Sequence, residues 1–303
     1  MNTVFQITRG LASAFIIIAF GSFVIVAQSE ISGTWTAKVS EKSPDKIQLN
    51  FDRSNTGGGR QSSGNSFLIS ELPGIDSQTV RAGGGIRFQL VREAGTIDCE
   101  GSFQDGKGRG TFRFVANPGY LDAMLLRGFD FTQTRSDSKT TTEDRLFTAA
   151  LLDVKVATAD DLRTANFPNL GVDDLFKATI FKIDGRYISE MAATGFPNLT
   201  MDEIVKARIF KIDAEFVRSI KDMGFGTDNF EHLVKYSIFK VTPEYLNELR
   251  AEGLTELTPE EIVKLRIFRI DGAYVRQVRA EDPNITVEKI VQRKLGVHRV
   301  RVN

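Results

Sequence analysis

Hydrophobic and polar residues alternate along the chain from Ile31 to about Ala116. A period of two is typical of strands with one buried face, and glycine-rich segments separate the alternating runs. The Asp105-Gly106 pair lies between two of these runs and predicts a hairpin, because such turns favour positive φ. This part of the chain therefore predicts a small antiparallel β-barrel or sandwich. The alternating runs are TWTAKV, KIQLNF, SFLISEL, IRFQLV, TIDCEGSF and GTFRFV.

Beyond residue 117 the apolar residues recur with the period of an α-helix, and a longer repeat is added to it. Related octapeptides return at a constant interval, which predicts two short helices per repeat. Helices of about ten residues are marginal alone, and stacking lets each bury its apolar face on a neighbour, as in a solenoid. The octapeptides are KATIFKID, KARIFKID, KYSIFKVT and KLRIFRID, beginning at Lys177, Lys206, Lys235 and Lys264, so their period in residue number is 29.

The ends of the predicted helices are marked by capping residues. Thr200 with Glu203, and Thr258 with Glu261, form capping boxes at the start of first helices. Second helices are predicted to begin at N-caps and to end at glycines in left-handed conformation. Recurring isoleucines and phenylalanines are expected to fill the core between repeats. The N-caps are Asp184, Asp213, Thr242 and Asp271, the glycines Gly195, Gly224 and Gly253, and the apolar columns Ile180, Ile209, Ile238, Ile267 and Phe181, Phe210, Phe239, Phe268.

These patterns predict an α+β multidomain protein, in which a β-domain precedes an α-helical repeat array. A degenerate repeat is expected to begin near Asp144, because Asn166 precedes FPNL as Gly195 does. The segment PGYLDAMLLRGF at Pro118 resembles the second helix of a still earlier unit. The predicted boundaries are 1–29 for a signal peptide or N-terminal anchor, 30–116 for the β-domain, 117–143 for a helix and polar linker, and 144–303 for the repeats.

The first residues are typical of an export signal. An uncharged apolar run extends from Gly10 to Val26, and small residues follow it at the spacing that signal peptidase prefers. Cleavage is predicted after Ser29 or, as a second choice, after Ala27. An uncleaved anchor is the alternative, since 17 apolar residues lie at the low end of the spanning range. The chain is therefore expected to be periplasmic or secreted, with no integral membrane domain apart from that possible anchor.

Composition predicts neither a nucleic-acid partner nor catalysis. Lys+Arg and Asp+Glu each number 39, so no net field attracts nucleic acid. The single cysteine, Cys99, cannot form an internal disulfide, and the two histidines, His232 and His298, show no metal-ligand spacing. We expect no cofactor, no metal and no enzymatic activity.

Two groups of residues are candidates for binding. A basic column that follows the first helices could bind an acidic partner, although cations also complement a helix C-terminus there. The lysines that open the octapeptides have an acid four residues earlier, which predicts neutralising pairs within each helix. Trp35, in SGTWTA, resembles the Gly-x-Trp that opens lipocalin barrels and would lie near the wall of a ligand cavity. The basic column consists of Lys182, Lys211, Lys240 and Arg269.

The segment IRFQLVREAGTIDCEGSFQDGKGRGTFRF, followed by repeats such as DEIVKARIFKIDAEFVRSIKDMGF, resembles a region of bacterial envelope proteins. In relatives of the beta-lactam-sensor membrane metallopeptidases of the Acidobacteria type, this region follows the membrane-embedded protease domain. The resemblance covers roughly residues 31–300, and the frame TPEYLNELRAEGL is its most specific part. The chain lacks the HExxH motif and the several membrane spans of those proteases. The resemblance therefore implies an extracytoplasmic sensing or interaction module without peptidase activity.

The sequence thus favours a non-catalytic extracytoplasmic protein-interaction or sensing module with an unidentified protein partner. The alternative is a small-ligand carrier or sensor that binds inside the β-domain.

Overall fold

The structure is a computed structural model that describes residues 31–54, 59–133, 140–165, 167, 170–225 and 229–296. The predicted signal peptide or anchor of residues 1–29 lies outside the described residues, as do Asn166 and His298.

Six antiparallel strands form a single open sheet in the order β3-β2-β1-β6-β5-β4. With the helices that follow, the fold class is α+β, while the predicted barrel or sandwich is not confirmed. Asp105 and Gly106 join β5 to β6 with φ of 50° and 71°, so the predicted hairpin is confirmed. The strands are β1 Ile31–Val39, β2 Lys46–Ser54, β3 Arg60–Leu68, β4 Gly84–Arg92, β5 Gly95–Gln104 and β6 Lys107–Ala116.

One helix lies within the strand region and the others follow the sheet. Four first helices begin at residues 172, 201, 230 and 259, and the second helices at 185, 214, 243 and 272, so both recur at the interval of the octapeptides. The helices are α1 Ser77–Ala82, α2 Pro118–Leu125, α3 Thr142–Leu152, α4 Val156–Thr164, α5 Val172–Phe181, α6 Gly185–Ala193, α7 Met201–Ile209, α8 Ala214–Asp222, α9 Phe230–Ile238, α10 Pro243–Ala251, α11 Pro259–Ile267, α12 Gly272–Glu281 and α13 Val287–Lys294.

The predicted caps of the second helices are confirmed. Each N-cap side chain accepts the backbone N–H three residues later, for example from Tyr187 to Asp184 at 2.8 Å. Gly195, Gly224 and Gly253 have φ of 113°, 83° and 87°, which only glycine adopts without steric cost. The short helices therefore begin and end where the sequence indicates.

Helix α3 joins the repeats to the sheet. Its Phe147 packs on the inner face, with ring centroids 5.5 Å from those of Phe112 and Phe114. Arg53 on β2, 5% exposed, forms an ion pair with Asp144 at 2.7 Å. The predicted domain boundary at residues 143 and 144 thus falls inside this helix, and the sheet and the first repeat share one core.

Tyrosine hydroxyls bind successive repeats at three places in the described chain. Tyr187 on α6 donates to the carbonyl of Ile212, and Tyr245 on α10 donates to that of Ile270, both at 2.7 Å. Each carbonyl belongs to the residue before the N-cap of the following second helix. Tyr120 on α2 makes the equivalent bond to Val154 at 3.1 Å. Helix α2 therefore occupies the place of a second helix ahead of the degenerate repeat, as its sequence suggests.

Basic side chains satisfy the helix ends of the preceding repeat. The last carbonyls of a helix have no partner within it and need external donors. Arg208 and Arg266 donate to the end of the preceding first helix, at the carbonyls of Lys182 and Phe239. Second helices are linked in the same way. Lys221 donates to the carbonyl of Thr194, Arg250 to that of Met223 and Arg279 to that of Glu252, at 2.9, 2.7 and 3.0 Å.

Replacing Phe147 by alanine should destabilise the sheet as well as the helices. We expect a loss of about 3–5 kcal/mol in the free energy of unfolding, because the ring fills the shared core. Denaturant titrations followed by Trp35 fluorescence report on the sheet, and those followed by far-UV circular dichroism report mainly on the helices. Phe268→Ala, at a half-buried position late in the repeats, is the control. An unchanged Trp35 transition in Phe147→Ala would contradict the shared core.

Candidate interaction surface

An exposed row of isoleucines runs along the first helices. Sequence analysis placed these residues in the core, and that prediction is wrong. Each isoleucine lies three residues after an outward-facing lysine and therefore shares its side of the helix, whereas the next residue, a phenylalanine, packs partly inward. We call Ile180, Ile209, Ile238 and Ile267 the isoleucine row; they are 54, 52, 47 and 48% exposed.

The same face carries ion pairs between successive repeats. Lys177 binds Asp202 at 2.7 Å and Lys206 binds Glu231 at 2.9 Å, and these hydrogen bonds raise the pKa of both lysines. Lys264 pairs with Glu288 in the same manner. Lys177, Lys206 and Lys264 thus bind an acid of the next first helix, and the predicted pairing with the acid four residues earlier is wrong. A contact across the stack is possible because the first helices lie side by side.

The series of ion pairs is interrupted between α9 and α11. His232 Nε2 lies 3.1 Å from Glu260 Oε1, the acid that Lys235 would otherwise bind. His232 stands where other first helices have Asp174, Glu203 or Glu261. Within the described part of the chain, the side chain of Lys235 is exposed and has no hydrogen-bond or ion-pair partner.

A groove opens at this interruption. It has a volume of about 240 Å³ and lies between α9 and α11. Small-molecule pockets usually enclose about 300–1,000 Å³, so this groove is better suited to one large side chain than to a free ligand. Its apolar part consists of Tyr236, Phe239, Pro259, Val263 and Ile267, and its polar rim of His232, Lys235, Glu260 and Lys264.

The basic column predicted to bind lies in the turns between first and second helices. All four residues are exposed, and none forms a hydrogen bond or ion pair through its side chain with another described residue. Asp153 holds the equivalent turn of the degenerate repeat with φ of 57° and forms ion pairs with Arg92 and Lys155. The backbone therefore does not require a cation there. Lys182, Lys211, Lys240 and Arg269 have φ of 53, 54, 52 and 51°.

These cations do not converge on the groove. Lys182 lines a separate depression of about 410 Å³ with Asp161 and Asp184, next to α4. None of the four cations of the basic column lines the groove.

Trp35 belongs to the core of the sheet. Its side chain is completely buried, and its ring packs on Phe88 and Phe103 with centroids 5.2 and 5.8 Å away. A Cβ at Gly101 or Gly108 would lie 2.7 Å from the indole, so the backbone of the neighbouring strands fills the space around it. These surroundings do not support the hypothesis that Trp35 lines a ligand cavity.

Cys99 and His232, the described cysteine and histidine, lie in different parts of the fold. Burial raises the pKa of the Cys99 thiol to about 12, which leaves almost no thiolate near neutral pH. His232 is occupied by Glu260. In the ranges that the structure describes, no group of three or more His, Cys, Asp or Glu residues could hold a metal ion.

The groove was missed by sequence reasoning, although α9 carries signals of it. This helix departs from its neighbours at three positions. His232 replaces an acid, Tyr236 replaces Ala178, Ala207 or Leu265, and Ser237 replaces Arg208 or Arg266. Several departures from the repeat consensus on one helix indicate that the surface there differs from that of the other repeats.

Comparison with protein-family models, curated proteins and solved structures finds no match to this chain. None of the helices described is both long and apolar enough to cross a membrane.

Replacing Lys211 by glycine tests whether the basic column is needed for folding. An L-residue in left-handed conformation is strained by about 1–2 kcal/mol, whereas glycine adopts it freely but loses more backbone entropy on folding. We expect the two effects nearly to cancel, leaving the free energy of unfolding within about 1 kcal/mol of wild type. Lys211→Val, which keeps the strain and adds β-branching, should be clearly destabilising. Chemical denaturation measures the free energy of unfolding of both variants. Strong destabilisation by Lys211→Gly would show that the lysine side chain itself stabilises the fold.

Proposed function

We propose that this chain is a non-catalytic, extracytoplasmic interaction or sensing protein. Its helical repeats form a solenoid-like scaffold that presents the isoleucine row to a protein partner. The proposal rests on a repeated surface rather than on a set of reacting groups, which is why it assigns no enzymatic activity.

The observation that carries the proposal is the burial, in the degenerate repeat, of the residue equivalent to the isoleucine row. Leu151 lies one repeat before Ile180, and it is only 6% exposed. The sheet adjoins it there, since Asn65 on β3 donates to the Leu151 carbonyl at 3.1 Å. The column is therefore buried where a neighbour adjoins it and half-exposed in the four repeats that follow. A protein partner that extends along the stack would continue the cover that begins at the sheet.

The spacing of the row suits an extended contact. First helices that touch lie about 8–10 Å apart, so four isoleucines span roughly 25–30 Å. Repeated apolar side chains of this size on one face are uncommon on monomeric proteins and mark interaction sites. The ion pairs beside them, such as Lys206 with Glu231, provide a polar margin of the kind that surrounds protein interfaces.

The proposed compartment is supported by the sequence. Residues 1–29 have the charge and apolar pattern of an export signal. The resemblance to the region that follows the protease domain in relatives of the beta-lactam-sensor metallopeptidases favours the same side of the membrane. A periplasmic or secreted location is therefore part of the proposal.

The proposal is tested by crosslinking and pull-down from the bacterial envelope fraction. The bait is the chain from residue 30 onward, because a truncation at residue 144 would remove Phe147 from the core of the sheet. In the test variant the four members of the isoleucine row are changed to serine. We expect at least about a tenfold loss of the captured partner, which corresponds to roughly 1.4 kcal/mol shared over four contacts.

A matched control changes four exposed residues, one on each second helix and equivalent in successive repeats, to serine: Arg186, Glu215, Glu244 and Ala273. Circular dichroism verifies that all variants fold. The proposal predicts that the control captures the partner as wild type does. Equal capture by the isoleucine variant, or equal loss in the control, would contradict the assignment of the surface.

A further inference from the structure

We propose that the groove between α9 and α11 is the anchor point of the interaction surface, and that it binds an acidic peptide segment of the partner. One large apolar side chain of that segment enters the groove, and a neighbouring carboxylate pairs with Lys235. This inference rests on the proposed function and adds the chemistry of the partner to it.

The apolar part of the groove fits a side chain as anchor. Phe239 is half-buried and Ile267 is 48% exposed, so an inserted group would remove both from water. Interface energy concentrates where a large side chain fills a small pocket and is surrounded by polar contacts that exclude water. A volume of about 240 Å³ between two packed helices provides such a place.

The charge of the expected segment follows from the interruption in the ion pairs. Lys264 is satisfied by Glu288, and Glu260 is held by His232. Lys235 is left as the cation of the rim for which the described residues provide no counter-ion. A carboxylate from outside would complete the series at this gap, as Asp202 and Glu231 do at the preceding ones.

The same charges favour a peptide over a membrane or a nucleic acid. Glu260 and Glu288 lie on this face beside the lysines, and both are more than half exposed. A continuous anionic surface would meet these carboxylates together with Lys235. A peptide can place one carboxylate at Lys235 and keep its other groups away from the acids.

A phage-displayed library of random dodecapeptides, selected on the full chain, tests the inference. We expect enriched peptides to carry Leu, Ile, Met or Phe within two positions of an Asp or Glu. Fluorescence anisotropy with the best synthetic peptide then measures affinity. Lys235→Glu and Ile267→Ser should each weaken binding by about tenfold or more. A peptide whose acid is changed to lysine should recover affinity for Lys235→Glu.

The matched controls are Lys211→Glu and Leu125→Ser, which change an exposed cation and an exposed leucine outside both the groove and the isoleucine row. Their affinity should stay within about twofold of wild type. The inference is overturned if no peptide is enriched, if the acid can be removed without loss, or if controls and groove variants lose affinity equally. Vesicles of phosphatidylglycerol and phosphatidylcholine that bind wild type but not Lys235→Glu would instead assign the groove to a membrane.

Failure here is distinguishable from failure of the proposed function. A partner that is lost when the isoleucine row is changed to serine, but retained by Lys235→Glu, would remove only the groove assignment. A partner retained by both variants would remove the interaction surface itself.

Discussion

Short helices cannot satisfy their own terminal carbonyls, and the repeats depend on donors from their neighbours. The second helices α6, α8 and α10, each of nine residues, leave a C-terminal carbonyl that a lysine or arginine of the next repeat binds, as Arg250 binds Met223. Tyr245 adds a bond in the other direction, to the turn of the following repeat. Because these bonds link one repeat to the next, the length of the repeat has to be kept, and the same side chains return.

The contacts that link successive repeats start next to the sheet. Tyr120 on α2 bonds to Val154, and Phe147 on α3 enters the inner face between Phe112 and Phe114. The sheet therefore takes the place of a preceding repeat and covers apolar surface that the first helices would otherwise expose. This explains why Leu151 is buried while its four successors in the isoleucine row are half-exposed. The sheet buries this position in the degenerate repeat, and no described element buries it in the four repeats that follow, so the isoleucine row is exposed.

Local signals in the sequence determined much of this fold. Alternation located the strands, and caps such as Asp184 and Gly195 located the helices, because these features act within a few residues. Contacts between distant residues were less accessible. Asp173 and Asp202 each lie four residues before a lysine of their own helix. The sequence therefore could not show that Lys177 binds Asp202 in the next repeat rather than Asp173. Nor could it show which of two adjacent apolar residues, Ile180 or Phe181, faces the solvent.

The central claim is that the isoleucine row is covered by a partner in the cell, and cysteine accessibility measures this most directly. Cys99 is buried and its thiol pKa is raised to about 12, so we expect maleimide not to label it in the folded protein. Ile209→Cys on the row and Ala273→Cys on a second helix can be labelled with a small maleimide, in intact cells and after purification. The account predicts that the cysteine at position 209 is protected in cells and reactive in the purified protein, while that at 273 reacts in both. Equal reactivity of position 209 in cells and in the purified protein would contradict it.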